Sequence, residues 1–278
     1  MLLGLVGLTL LAQQPTGDEI LERAGERSAF VREGSRISLI DFDILFKDGT
    51  TELKKFAFFG KRTLEGDEKL LIYFLEPPLE CGTILLSIDP ADPKEETRLW
   101  LFLSGLGQVK ELVSEEDRDA SFARSNFQND QIGGGFDLHE DYTGELLGEE
   151  PVEVSWLGEK KARTAYKVAL TAREEADVDF PTGFVWVDVE EFLTLRGEFN
   201  NAAGLLEERI TLDEFVEFAG EILPNRIEAA NVLDGSRTTV YILERRVVEP
   251  ELPDEIFTPE ALKGFNPEDY GIDSPCVP

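Results

Sequence analysis

Residues 178–248 form a long run in which apolar side chains recur at every second position, and that period is what most restricts the fold. Val185, Val187 and Val189 share one parity, and Phe184 and Trp186 share the other. Leu206, Ile210, Leu212, Val216 and Phe218 make a longer series, and Val240, Ile242 and Val248 another. Successive side chains leave opposite faces of a sheet, so a period of two means β-strands. Turn formers separate the strands: Asn200-Asn201 with Gly204, Ala219-Gly220-Glu221, and Asp234-Gly235-Ser236. Returns this short join antiparallel neighbours, because parallel strands need a much longer crossover. Several strands are apolar on both parities, as at Phe184-Val185-Trp186-Val187 and Tyr241-Ile242-Leu243. A sheet with one wet face would alternate cleanly, so this one is expected to be covered on both faces.

The segments before it extend the pattern. Thr16-Gly17-Asp18-Glu19 has capping-box spacing, and Ile20, Ala24 and Val31 follow at helical spacing, which predicts an amphipathic helix lying on the sheet. Strands are predicted over 37–46, 52–59, 69–75, 83–88, 98–103 and 108–113. Alternation stops over 114–147, which contains Phe122, Phe127, Ile132 and Phe136 together with Gly133-Gly134-Gly135, and resumes near Val152. A long irregular insertion in a regular sheet is expected to be a functional loop or lid. Thr258-Pro259 predicts a short C-terminal helix, with Thr258 as cap and Pro259 in its first turn. No repeat or change of composition divides the chain, which points to one domain over 13–278.

With 57 acidic and 27 basic residues the formal net charge is −30, which repels nucleic-acid phosphates and anionic lipid surfaces. Nucleic acid is therefore not an expected partner. Residues 1–12 are apolar and uncharged, too short for the roughly 20 residues that span a bilayer. They match the apolar core of a secretory signal cut near Ala12, although no Lys or Arg precedes them. Cys81 and Cys276 permit one disulfide in an exported protein, or stand as two separate thiols.

Catalytic machinery is sparse. His139 is the one histidine and lies in the irregular insertion, and the sequence holds no nucleophile elbow, phosphate loop or Cys-x-x-Cys. Asn129, Asp130 and Asp137 match no calcium-loop spacing. Neither a metal nor a cofactor is expected. The insertion is instead unusually apolar: Phe122, Phe127, Ile132 and Phe136 either dock it on the core or line a hydrophobic cavity, with Trp100, Phe102, Phe184 and Trp186 as further candidate lining residues or ordinary core.

An ordered set of short motifs resembles the outer-membrane lipoprotein-sorting family, relatives of the periplasmic lipoprotein carrier. They include Pro77-Pro78 through Gly82-Thr83, Trp100-Leu101-Phe102, Ser121-Phe122 through Phe127 to Asp130, Val185-Trp186-Val187-Asp188, Pro224-Asn225-Arg226-Ile227 and Leu252-Pro253-Asp254-Glu255-Ile256-Phe257. Asn126 departs from the family pattern, which has an acid there. The resemblance implies a mainly β (α+β) fold, a strongly curved antiparallel sheet forming a half-open β-barrel with short helices over its concave face. It implies a non-catalytic, periplasmic or otherwise extracytoplasmic carrier of lipoprotein acyl chains or free lipid, with an inner-membrane transporter as donor and an outer-membrane acceptor. The alternative that it implies is a sensor that binds lipid or lipoprotein and signals to a membrane partner. Hiding an acyl chain fits the need, since each exposed CH₂ costs ~0.8 kcal/mol and a palmitoyl chain on the order of 12 kcal/mol.

Overall fold

The computed structural model describes residues 14–28, 34–92, 94–134, 138–176 and 178–276. The expected leader over 1–12, Val31, Phe136 and Asp137 lie outside the described residues. Helix α1 (Gly17–Ser28) is followed by β1 (Gly34–Leu45), β2 (Thr51–Arg62), β3 (Glu68–Glu76), β4 (Ile84–Asp89), β5 (Arg98–Leu103) and β6 (Gln108–Glu111). The insertion carries three short helices, α2 (Glu115–Arg118), α3 (Asn129–Gly134) and α4 (Leu138–Asp141). Strands β7 (Tyr142–Trp156), β8 (Glu159–Ala172), β9 (Thr182–Asp188), β10 (Thr194–Asn200), β11 (Leu206–Phe218), β12 (Glu221–Asn231) and β13 (Arg237–Val247) complete the sheet.

All thirteen strands belong to one curved sheet in the order β10-β9-β8-β7-β11-β12-β13-β1-β2-β3-β4-β5-β6. Each consecutive pair from β7 to β13 is antiparallel where it is paired, as the short turns required. Because β10 also pairs with β11, and Phe215 of β11 bridges Trp156 of β7 in parallel, β7–β11 close into a ring of five strands. The other half of the sheet stays open. The structure is thus mainly β, with few helices, as expected.

Two boundaries differ from expectation. Regular structure resumes at Tyr142 rather than near Val152, because the first half of β7 pairs with β8 through its backbone while most of its side chains are exposed. A strand held by its ladder alone leaves no apolar alternation to read. At Thr258 there is a turn rather than a helix, followed by single 3₁₀ turns at Leu262–Gly264 and Pro267–Tyr270.

Both faces are apolar, and different elements cover them. On β3, Leu70, Ile72 and Phe74 point to one face and Leu71, Tyr73 and Leu75 to the other. The second face is covered by the C-terminal segment, through Leu252, Ile256, Phe257, Leu262 and Ile272. Phe265 packs edge-on against Phe59 at 5.0 Å and stacks on Tyr270 at 5.6 Å. Lys61 Nζ donates to the Leu252 carbonyl at 3.0 Å. Cys81 and Cys276 are bonded to each other, with Cα atoms 5.4 Å apart, and tie this segment to the loop after β3.

The first face is covered by α1 and the insertion. The capping box forms: Glu19 N–H donates to Thr16 Oγ1 at 3.2 Å, and Thr16 N–H to Glu19 Oε2 at 2.7 Å. Ile20, Leu21 and Ala24 are buried against the sheet. The helix approaches β7 so closely that a Cβ on Gly17 would lie 2.2 Å from the Gly144 carbonyl oxygen, and one on Gly144 would lie 2.8 Å from the Gly17 carbonyl carbon. Asp18 Oδ1 accepts from Gly144 N–H at 2.7 Å and completes the contact. Gly144→Ala should therefore push α1 off β7 and lower stability by about 1–3 kcal/mol, read as an earlier midpoint in urea unfolding. An unchanged midpoint would show that the helix is not held there.

Candidate functional site

Between the first face and its cover lies a cavity of about 190 Å³. Ile40, Phe42, Phe58 and Leu70 wall it from β1–β3, Val185, Phe199, Ile210 and Leu212 from β9–β11, and Ile227, Val240 and Ile242 from β12 and β13. Ala24 of α1, Phe127, Ile132 of α3 and Leu138 of α4 close it from above. Ligand pockets commonly enclose roughly 300–1,000 Å³, so a bulky cargo requires the cover to move. Among the described residues, the charged side chains that line it are Arg27, Arg36 and Arg245, and no carboxylate does. Arg27 pairs with Glu191 at 3.2 Å and Arg36 with Glu221 at 3.0 Å.

Phe122 anchors the insertion in an aromatic cluster. Phe122 is buried within 5.8 Å, between ring centres, of Phe42, Phe56 and Phe74. Its backbone N–H donates to the Phe127 carbonyl at 2.7 Å, closing a tight loop in which Ala123 and Arg124 take left-handed backbone angles. Asn126 fastens this loop to β13: its N–H donates to Thr238 Oγ1 at 2.9 Å, its Nδ2 donates to Ser236 Oγ at 3.0 Å, and its Oδ1 accepts from Thr238 at 3.0 Å. An amide both donates and accepts, whereas a carboxylate only accepts, which gives the departure at Asn126 a structural role. On the other side Arg124 pairs with Glu52 at 3.2 Å, and Glu52 lies 3.5 Å from Lys54. Lys54 is fully buried and donates to both carboxylate oxygens of Glu80 at 2.7 and 2.6 Å. The charge of this buried lysine is thereby compensated.

An acidic corner adjoins the insertion. Burial, then Asp179 and Glu207, push the Glu208 carboxyl up to about 7. Burial, with Asp141, Glu208 and Asp179 nearby, raises the Tyr142 hydroxyl to about 12, and that hydroxyl donates to the Phe180 carbonyl at 2.9 Å. Gln128 of the insertion donates to Asp179 at 2.9 Å.

The fold separates the side chains that sequence grouped together. Phe127 and Ile132 line the cavity, and Phe122 lies behind the wall in the aromatic cluster. Trp100 and Phe102 are on the opposite face of β5, beneath the C-terminal segment. Phe184 and Trp186 are also on the opposite face, where Trp186 Nε1 donates to Glu150 at 2.9 Å and Arg196 lies 4.7 Å over its ring. These four do not line this cavity; aromatic size pointed to them, whereas parity places Val185 inside. The sequence series containing Ile210, Leu212, Val240 and Ile242 held the signal for the true lining. Arg36 and Arg245 carried no such signal. Among the described residues no group of three or more His, Cys, Asp or Glu side chains is placed to hold a metal, and no helix is long and apolar enough to cross a membrane.

A family model described as an uncharacterized protein family matches residues 66–264. No match was found among curated proteins. Among solved structures the chain is similar to a DUF1329 family protein from Desulfovibrio piger, at 21% identity and a TM-score of 0.75, over 88% of this chain and 97% of that one. It is also similar to a putative outer membrane lipoprotein-sorting protein domain from Vibrio parahaemolyticus, at 18% identity and a TM-score of 0.73, over 89% and 98%. A LolA superfamily protein from Nitrosomonas europaea matches at 21% identity and a TM-score of 0.63, over 88% and 98%. At these identities the likeness is one of fold.

Two outcomes follow from the site's geometry. Asn126→Ala removes two side-chain hydrogen bonds and should cost about 1–2 kcal/mol, with faster amide exchange confined to the insertion; uniform exchange would mean that Asn126 does not fasten it. Native Glu208 keeps its proton up to about pH 7, while the unfolded carboxyl releases it near 4.5, so its contribution to stability is full below that window and is lost as pH rises through about 7. Glu208→Gln should accordingly raise Tm at about pH 8 and leave it nearly unchanged at about pH 4. An equal shift at both pH values would remove the carboxyl from this account.

Proposed function

We propose that the chain, which belongs to the family whose model matches residues 66–264 and shares its fold with a LolA superfamily protein, is a non-catalytic carrier of lipid or lipoprotein acyl chains. The observation that carries this reading is the cavity itself, apolar on the sheet side and closed by α1 and the insertion rather than by more sheet. Water is poorly held among Ile40, Phe58, Phe199, Ile210 and Val240, whereas an acyl chain loses its cost of exposure there. Carriage also requires release. A cover of short helices and one tight loop, held by a few polar contacts, can open at lower cost than a strand within a ladder.

The chemistry proposed is binding, not bond making, and among the described residues no acid lines the cavity. In this reading the chain works outside the cytoplasm after loss of residues 1–12, as one unit over 13–278, receiving cargo from an inner-membrane transporter and passing it to an outer-membrane acceptor. The pairing of Cys81 with Cys276 is consistent with an oxidising compartment.

Protein purified without detergent from an exported expression should yield a discrete acyl species on organic extraction and mass spectrometry. Ala24→Trp places an indole in the cavity from α1 and should cut both the co-purified species and the uptake of a neutral fluorescent lipid by about tenfold or more. Wild-type protein that carries no acyl species and takes up no fluorescent lipid would sink the carrier reading.

A further inference from the structure

We propose that the cavity takes a single-chain amphiphile with an anionic head group, the head held at Arg36 and Arg245 and the chain along the apolar wall. The inference rests on the carrier reading above and adds to it the class of ligand.

The placement of Arg245 is a product of the ladder. Leu39 of β1 pairs with Glu244, but Ile40 pairs with Ile242, so Leu243 is an extra residue on β13. A bulge of this kind reverses the parity of the residues beyond it. Val240, Ile242 and Arg245 consequently face the cavity together; in an unbulged ladder Glu244 would occupy that face and Arg245 the other. One extra residue exchanges an acid for a base at the cavity wall.

The neighbours leave room for a ligand. Arg245 stands opposite Ser38, and Arg36 stands opposite Gly60 on β2; all four line the cavity. Two long cationic side chains are thus interleaved with two of the smallest residues. The seam beside them is open as well. Pairing of β12 with β13 extends only from Ala230 to Arg226, and Pro224 just beyond has no N–H to donate. The Arg245 guanidinium fills that gap and donates to the Pro224 carbonyl and to Asn225 Oδ1.

Those two acceptors are neutral. They satisfy N–H groups without balancing the charge, which costs most where water is excluded. Arg36 has Glu221 as counter-charge, but among the described residues no carboxylate lies within ion-pair distance of Arg245. Burial, then the Arg36 charge, push Arg245 down to about 10, which leaves it ionised at neutral pH. A ligand head carrying a carboxylate or phosphate monoester would supply the missing charge, and a guanidinium fork matches either. The chain as a whole carries −30, so its general field repels anions and any preference for one must come from this local pair. The cavity volume of about 190 Å³ favours one slender chain over several.

The test is displacement of the neutral fluorophore N-phenylnaphthylamine from the full chain by dodecanoate, dodecyl phosphate and dodecanol, which share a chain and differ in head group. We expect the better of the two anions to displace at about tenfold lower concentration than the alcohol, equivalent to ~1.4 kcal/mol, and which anion that is identifies the head. Arg245→Gln should erase most of that preference, whereas Arg245→Lys should retain part of it. Equal displacement by alcohol and anions in the wild type overturns the proposal without any variant, and so does an Arg245→Gln protein that keeps the full preference. If the fluorophore never enters, the carrier reading falls and this inference with it. If it enters and head group makes no difference, only this inference falls.

Discussion

Leu70, Leu71, Ile72, Tyr73, Phe74 and Leu75 are six buried residues in succession on one strand, three on each face. A strand of that kind has no side to present to water, and the strands beside it repeat the condition at Ala57, Phe58 and Phe59 and at Ile84, Leu85 and Leu86. Each such side chain is worth about 1.5–3 kcal/mol when buried. The whole architecture answers this demand. The C-terminal segment covers one face, pinned by the Cys81–Cys276 bond and by Lys61, and α1 with the insertion covers the other.

The two covers are not equivalent. Beneath the C-terminal segment Phe265 and Tyr270 stack on each other and both pack edge-on against Phe59. Beneath α1 and the insertion Phe122 packs into an aromatic cluster, and a cavity remains beside it. A covalent bond pins the cover on one side, and the cover on the other side encloses the cavity. A carrier of the kind proposed needs that asymmetry, because the surface that must part to admit a ligand cannot also be the one that secures the fold.

Much of this was legible in residues. The period of two from Val185 to Val248 specified the meander, Thr16 and Glu19 specified the start of α1, and the apolar insertion marked the cover. What misled was chemistry read without parity: Trp186 is larger than Val185, yet it packs on the other face beside Glu150 and Arg196. The placement of Arg245 at the cavity was not legible at all. Its direction depends on an extra residue at Leu243, and a bulge is a property of two paired strands rather than of either sequence. Likewise Asn126 stood out as a departure, but its partners Ser236 and Thr238 are more than a hundred residues away.

The meeting of Gly17 with Gly144 sets how α1 can travel. Backbone lies against backbone there, and Asp18 grips the same point, so any displacement that preserves the contact is a rotation about it. Arg27, at the far end of the helix on the cavity wall, is roughly 15 Å along the axis from that pivot at 1.5 Å per residue. A swing of about 15° then carries the Arg27 end on the order of 4 Å while the glycines stay in register. In the proposed carrier the helix would be a lever whose fulcrum sits on β7 and whose load arm roofs the cavity.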